Sequence, residues 1–373
     1  MEENRIFNDF IVNKSNKVED IIDFIKKMKK KVVLYGAGYC GYETYKLLKM
    51  NNIFIEAVCD DNENYLNNKF GDLQISRIED IKCTAEMVIL ITSGFNKKMK
   101  QKLSDLALYE NYIEIDFGRY EEENEKWGYF KKNENKVEEA YALFEDKKSK
   151  DLFVNLVNYR ISRELNYLLD CEDENQYFPR NEILDLSKNE IFLDCGAFDG
   201  DSIREFLKYT GNMYKKIIAL EPSRNNYKKL LENVKCMKNI QCYNLGAYRE
   251  SKKLKFLVSD AKNSFVSEQG TDELEVTTID EVLDGERVTF IKMDIEGVEY
   301  DALLGARKTI EKYSPVLAIS VYHKVEDLFQ IILLINKMNS NYKYYLRHYS
   351  PTIIETILYA VPNNKKGDRY ERL

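Results

Sequence analysis

The stretch IFLDCGAFDGDS, residues 191–202, decides the fold: an apolar run that ends in acid and breaks into glycines reads as a buried strand feeding a helix through a tight turn. Its glycines permit the close backbone approach of a nucleotide-binding turn. Asp194, Asp199 and Asp201, however, put carboxylates where a pyrophosphate would be repelled. A cofactor with an ammonium, a sulfonium, a ribose diol and an adenine but no phosphate suits such a turn. That describes S-adenosylmethionine, for which Asp194, Gly196, Ala197, Phe198, Asp199, Gly200, Asp201 and Ser202 are the candidate contacts.

The next strand, KKIIALEP, ends at Glu221, where a carboxylate can accept both ribose hydroxyl protons, and Pro222 then breaks it. NLGAY, residues 244–248, supplies Gly246 and Ala247, small enough for an adenine ring to lie flat beside the backbone. FIKMDIEGVEYDALLGA, residues 290–306, is an apolar strand ending at Asp294, after which Glu296, Gly297 and Glu299 open a helix. Acids there also suit the helix dipole. Asp294 would lie at the carboxyl end of the sheet, where open α/β folds bind ligands. With PVLAISVYH, YKYYLRHYS and ETILYAVP there are seven strand candidates, which imply a mostly parallel sheet with an antiparallel edge strand.

A second alternation precedes this one. VEDIIDFIKKMKK, residues 18–30, has helical spacing, KVVLYGAG is a strand running into glycines, and FIEAVCDD, AEMVILITS and NYIEID are further strands. GAGYCG places Gly36, Gly38 and Gly41 in GxGxxG spacing between strand and helix, with Asp60 at the end of the next strand. No acid sits within this turn, so these four residues are a candidate site for a nucleotide, dinucleotide or nucleotide-sugar. Glycines that merely let a helix pack on a strand are the alternative. The expected organisation is a Rossmann-like α/β domain over 1–120, a helical connector over 121–189 closed by QYFPRNEI, and a second α/β domain over 190–373 ending in the solvated tail NNKKGDRYERL.

Composition narrows the class. A net charge of −7 with both signs interspersed gives no phosphate-tracking stripe for nucleic acid. No apolar run reaches the roughly 18 residues of a membrane span, and the N-terminus does not read as a secretory leader, so the cytoplasm is the expected location. Cysteines 40, 59, 83, 171, 195, 236 and 242 form no CxxC pair and are expected as reduced thiols in packing positions.

DCGAFDGDS, EP, NLGAY, KMDIEGVEYDALLGA, SVYHK and RHYS, in that order, resemble the FkbM family of S-adenosylmethionine-dependent methyltransferases over about residues 186–362. The resemblance implies a class I methyltransferase sheet of strand order 3-2-1-4-5-7-6 and methyl transfer to oxygen on sugars or other small hydroxylated compounds. The connector, with QYFP before the first strand, is similar to family members that carry an N-terminal Rossmann-like domain.

Methyl transfer to a hydroxyl needs an aligned acceptor and a base. The chain has two histidines, His323 and His348, each at the expected carboxyl end of a strand. His323 is the candidate base, with Asp294 or Glu296 orienting the acceptor or its partner; structural loop histidines are the plainer alternative. Tyr177, Phe178, Tyr322, Arg347 and His348 are candidate acceptor-pocket residues. A divalent metal held by Asp294, Glu296 and His323 is an alternative, but no helical HxxxH or clustered spacing supports it, so no metal is expected. The expected activity is O-methylation of a small-molecule acceptor, nucleotide-linked if the first domain holds its carrier, in surface-glycan or secondary-metabolite assembly. N-methylation of an amine and a non-catalytic nucleotide-sugar-binding scaffold are the alternatives.

Overall fold

The computed structural model describes residues 11, 14–93, 97–108, 112–114, 126–168, 173–179, 183–258, 264–266 and 272–363. Cys171, residues 121–125 of the connector, residues 180–182 of QYFPRNEI and the expected tail after residue 363 lie outside them. The six cysteines within the described residues are all free.

Helix α1 (Lys17–Met28) begins where the Asn16 side chain accepts from the Val18 N–H, and it buries Val18, Ile21, Ile22 and Ile25. Strand β1 (Lys31–Tyr35), helix α2 (Tyr39–Met50), β2 (Ile55–Cys59), the hairpin β3 (Lys69–Phe70) and β4 (Leu73–Ser76), β5 (Met87–Ile91), α3 (Lys97–Asp105) and β6 (Tyr112–Glu114) follow. The strands form a sheet of order β3-β4-β2-β1-β5-β6, parallel except for the β3–β4 pair. The direction of winding reverses at β1, so the glycine turn after it opens into the crevice between its neighbours.

Helices α4 (Trp127–Lys132), α5 (Glu134–Leu143) and α6 (Lys147–Ser162) come next, the last capped by Asp146 accepting from the Ser149 N–H. Phe130, Val137, Phe144 and Phe153 from this segment share one core with Leu193 and Ile291 of the second sheet. The connector is thus a cover for that sheet rather than a spacer.

The second sheet is built from β7 (Ile191–Cys195), β8 (Lys216–Leu220), β9 (Ile240–Tyr243), β14 (Phe290–Met293), β15 (Val316–Ser320), β16 (Tyr342–His348) and β17 (Thr356–Pro362). Its order is β16-β17-β15-β14-β7-β8-β9, which is 6-7-5-4-1-2-3 in the sequence of its own strands. The antiparallel strand is β17, one place in from the edge, because its hairpin with β16 folds it back against β15 and leaves β16 outside. Helices α7 (Asp201–Thr210), α8 (Arg224–Val234), α9 (Ile279–Leu283), α10 (Glu299–Leu304), α11 (Arg307–Tyr313) and α12 (Asp327–Met338) complete the unit.

A sheet of four short strands, order β10-β13-β11-β12, has no counterpart in the sequence reading: β10 (Gly246–Ala247), β11 (Lys252–Val258), β12 (Ser264–Val266) and β13 (Asp272–Thr277). Lysines and glutamates alternate through KKLKFLV and DELEVT, so neither segment stands out as an apolar run.

Side-chain alternation along β7 and β14 sorts the two cores. Leu193 and Ile291 face the connector, while Phe192 and Phe290, paired in register, face an aromatic cluster with Phe178 and Phe206. The Phe192 and Phe206 ring centroids are 4.6 Å apart, and each buried phenyl contributes roughly 1.5–3 kcal/mol. The same period of two puts Asp194 and Lys292 side by side on the aromatic face. No helix among the described residues is long and apolar enough to cross a membrane.

Candidate active site

One cavity of about 1840 Å³ opens at the carboxyl ends of both sheets. From the first sheet it takes Gly36, Gly38, Asp60 and Asp61; from the second, Gly196, Phe198, Glu221, Gly246, Asp294 and Tyr322. Five of its non-glycine residues, Asn175, Tyr177, Phe198, Glu296 and Glu355, hold a left-handed backbone at φ 61, 64, 48, 60 and 63°. Each such conformation costs on the order of 1–3 kcal/mol, which surrounding structure sustains where function requires it.

The floor is the turn after β7. Gly196 has φ +81°, and a Cβ there would stand 2.0 Å from the Asp294 carbonyl oxygen, so only glycine lets the β7 and β14 ends come together. Gly196→Ala is therefore expected to displace the turn and abolish cofactor binding, read by titration calorimetry; unchanged affinity would contradict the packing. Asp194 does not reach the cavity. It is fully buried, accepts from the Ser202 hydroxyl and pairs with Lys292 Nζ at 3.1 Å. Lys292 also donates to the Gly196 carbonyl at 2.8 Å and lies over the Tyr177 ring. Burial disfavours the Lys292 ammonium, but the Asp194 and Asp294 carboxylates outweigh it and hold the lysine above its ordinary value. Burial in turn raises the Asp194 carboxyl, with the Lys292 charge and the Ser202 hydroxyl opposing.

This changes the expected electrostatics of the turn. Asp194 is neutralised beneath it, Asp199 is engaged by Arg204 at 3.0 Å, and neither lines the cavity; Ala197 and Gly200 do not line it either. Of the turn's three aspartates only Asp201 lines the cavity, and Glu221 at the end of β8 lines it beside the turn. Glu221 Oε2 accepts from the Phe198 N–H at 2.9 Å and Oε1 from the Ser223 N–H at 2.9 Å. Burial pushes its carboxyl up to about 7, the two N–H donors and Lys292 opposing. Ser202, Pro222, Gly246 and Ala247 complete this end of the cavity.

The first glycine turn repeats the arrangement: Asp60 Oδ2 accepts from the Ala37 N–H at 2.7 Å, as Glu221 does from Phe198. Gly41 lies behind, where a Cβ would meet the Gly36 carbonyl oxygen at 2.0 Å, whereas a Cβ on Gly38 would meet nothing within 4 Å. Gly41 serves packing, and Gly38 faces open cavity.

Beyond the second turn, Asp294 accepts from Tyr177 at 2.8 Å and from Tyr322 at 3.2 Å. Burial alone would raise this carboxyl, but His323, Lys292 and the Tyr177 hydroxyl hold it below the usual aspartate value. His323 is one layer behind the wall, its side chain 1% exposed, with Nε2 3.4 Å from Asp294 Oδ1 and 3.6 Å from Glu296 Oε2. Arg160 of α6 donates to the Tyr322 carbonyl at 2.8 Å and so fixes the end of β15 that carries the histidine. Asp294, Glu299 and His323 bring donor atoms within 4.8 Å of one another. Glu299 approaches the imidazole at Nδ1 and Asp294 at Nε2.

Two expected pocket residues lie elsewhere. Arg347 pairs with Asp146 at 2.7 Å and bonds to Ser149, tying β16 to the start of α6. His348 is fully buried with Nδ1 2.9 Å from the Thr356 hydroxyl, and burial lowers its pKa to about 4, so it stays neutral. Phe178 touches the cavity but chiefly packs in the aromatic core, stacked on Phe290. The sequence reading missed Lys292, Glu355, whose carboxylate accepts from Gln176 at the cavity edge, and Glu299 as a partner of His323.

Residues 194–344 match the family model of the methyltransferase FkbM domain, and residues 28–114 match one described as C2185-like, N-terminal. The structure is similar to that of methyltransferase FkbM from Methylobacillus flagellatus KT, with a TM-score of 0.72 and 23% identity over 91% of this chain and 93% of that one. Aeropyrum pernix fibrillarin, in complex with natively bound S-adenosyl-L-methionine, gives a TM-score of 0.33 at 13% identity over 48% of this chain and 70% of its own. An rRNA methylase from Streptococcus thermophilus gives 0.33 at 12% identity over 48% and 90%. Both are too distant to bear on function. No curated protein matches the chain.

Proposed function

We propose that the chain, whose residues 194–344 match the methyltransferase FkbM domain, carries a methyl group from S-adenosylmethionine to a hydroxyl of a sugar or other small hydroxylated acceptor. The observation that carries this reading is Glu221, a buried carboxylate facing the cavity at the end of β8 and held there by the Phe198 and Ser223 N–H groups. Glu221 would accept from the two ribose hydroxyls, Gly246 and Ala247 would take the adenine, and Gly196 and Asp201 would hold the amino-acid end. The cofactor, when bound, supplies a methyl on a sulfonium sulfur that keeps the bonding electron pair on departure.

The remaining chemistry belongs to side chains of this chain. Asp294 and Glu296 stand in the wall and accept the hydrogen bond of the acceptor hydroxyl. As the oxygen gains its bond to carbon, the hydroxyl proton passes between them to His323 Nε2, where the adjacent carboxylates stabilise the imidazolium. His323 thus acts through Asp294 and Glu296 rather than by touching the acceptor. In the first unit Gly38 and Asp60 hold a nucleotide carrier of the acceptor, consistent with the single cavity that reaches both turns.

Titration calorimetry of the purified chain with S-adenosylmethionine and with NAD tests the assignment. Micromolar binding of the former is expected, and heat from NAD alone would reject it. A second reading, methylation of an amine, draws on the carboxylates of Asp294, Glu296 and Glu355 at the acceptor end. Transfer of labelled methyl to an amino sugar but not to its hydroxyl analogue would favour that reading.

A further inference from the structure

We propose that the first glycine turn is a ribonucleoside diphosphate site, in which Asp60 takes the ribose diol and the diphosphate lies over Gly38 towards Lys98. This rests on the reading of that turn as the seat of a nucleotide carrier and makes it specific. Asp60 follows β2 and lines the cavity, and backbone N–H groups hold both its oxygens: Oδ2 accepts from Ala37 at 2.7 Å and Oδ1 from Asn62 at 2.8 Å. Glu221 is held in the same way, by Phe198 of its turn and by Ser223, which lies two residues on as Asn62 does from Asp60. A carboxylate has about four acceptor sites, so Asp60 is fixed in place by the two N–H groups and can still accept from a pair of hydroxyls. It repels phosphate, so a ribose with a free 2′-hydroxyl is selected over a 2′-phosphate.

Gly38 leaves the ligand its path. Its backbone, at φ −77° and ψ −164°, is extended and open to any residue, and a Cβ there would meet nothing within 4 Å. Gly36, at φ +119°, and Gly41, against the Gly36 carbonyl, are glycine for strain and for packing; Gly38 is required by neither. What its missing side chain provides is room. Because β1 lies between β2 and β5, Gly38 sits between Asp60 after β2 and Thr92 and Ser93 after β5, all on the cavity wall. Two strand spacings of about 4.7–4.9 Å separate the ends of this row, a reach that a second phosphate supplies.

Beyond β5, α3 brings the cation. Of its lysines, Lys100 pairs with Glu114 and Lys102 with Asp61 and Glu79, while Lys98 lines the cavity and pairs with no carboxylate among the described residues. Carboxylate, bare backbone and ammonium thus follow one another across the strand ends, in the order of diol, 5′ oxygen and phosphates along a ribonucleoside diphosphate. Tyr65, 40% exposed on the same wall, offers its ring to the base.

Titration calorimetry of the full chain saturated with S-adenosylhomocysteine, which occupies the second turn, tests the first one alone. At least one of the diphosphates of adenosine, guanosine, cytidine and uridine is expected to bind at micromolar concentration, and its 2′-deoxy form about tenfold or more weaker, as for a lost hydrogen bond to a carboxylate. Gly38→Asp gives α2 an ordinary N-cap and places a carboxylate in the path of the phosphates. It should bind none of the four at millimolar concentration while its urea midpoint stays at or above that of wild type. Should it fail to fold, the wild-type comparison of ribose with deoxyribose still decides. No ribonucleoside diphosphate bound at millimolar concentration, equal affinity for the two sugars, undiminished binding in Gly38→Asp, or displacement of S-adenosylhomocysteine by the nucleotide would each overturn the proposal. The readings fail separately: ribonucleotides bound without regard to the 2′-hydroxyl leave the carrier in place and remove this site chemistry, whereas a chain that takes no S-adenosylhomocysteine loses the cofactor assignment whatever the diphosphates do.

Discussion

Lys292→Met is expected to lower the free energy of unfolding by about 3–5 kcal/mol and to abolish cofactor binding with it. The substitution takes away the cation 3.1 Å from fully buried Asp194, so that carboxyl must either hold an unpaired charge or take up a proton directly under the glycine turn. It also removes the donor that ties the Gly196 carbonyl to β14. The double variant Asp194→Asn, Lys292→Met removes both charges and should recover most of the loss, because a buried pair replaced as a unit is close to neutral. Urea unfolding followed by the single tryptophan, Trp127, measures both. A Lys292→Met curve within 1 kcal/mol of wild type, on the order of the value of one exposed ion pair, would show that this pair does not support the turn.

The second large effect concerns Glu221. With its carboxyl raised to about 7, the group is largely protonated below that pH and ionised above it. Only the ionised form can accept from both ribose hydroxyls, so affinity for S-adenosylmethionine should be level above pH 7 and fall about tenfold per unit as pH drops below it. Glu221→Gln should lose roughly 100-fold or more, in line with hydrogen bonds to a charged group worth about 1.5–3 kcal/mol each. It should also lose the pH dependence. Calorimetric titrations between pH 6 and 8 decide the matter, and a flat wild-type profile would move the ribose away from this carboxylate.

Much of the fold was readable because strand ends carried marks of their own. Asp194, Glu221 and Asp294 close apolar runs, and the turns after them hold the glycines and acids that a ligand-binding edge requires. The side chains behind those marks were not readable. Lys292 sits within FIKMD and looks like a lysine reaching for solvent; its partner is fixed only by the register that sets it opposite Asp194, which no spacing within either segment reveals. Glu299 reads as an ordinary acid at a helix start until β15 brings His323 against it. Arg347 and His348 were placed at the ligand edge because they end a strand, but β16 is the outer strand, and its end meets α6 instead of the cavity. The small sheet over 246–277 escaped notice because lysines and glutamates alternate through KKLKFLV and DELEVT and leave no apolar run to mark a strand.

The way α5 and α6 cover the second sheet has a consequence for the nascent chain. Phe144 bridges to Tyr344, and the Phe153 face packs in the core completed by Leu346 and Leu358. At roughly 5–20 residues per second, the ribosome exposes these helices for about ten to forty seconds before their cover is made. The first sheet, whose pairings span far shorter stretches, can close in the meantime. A stalled or prematurely ended product would therefore display a folded amino-terminal half joined to a greasy helical flank, the kind of species that chaperones retain and proteases clear.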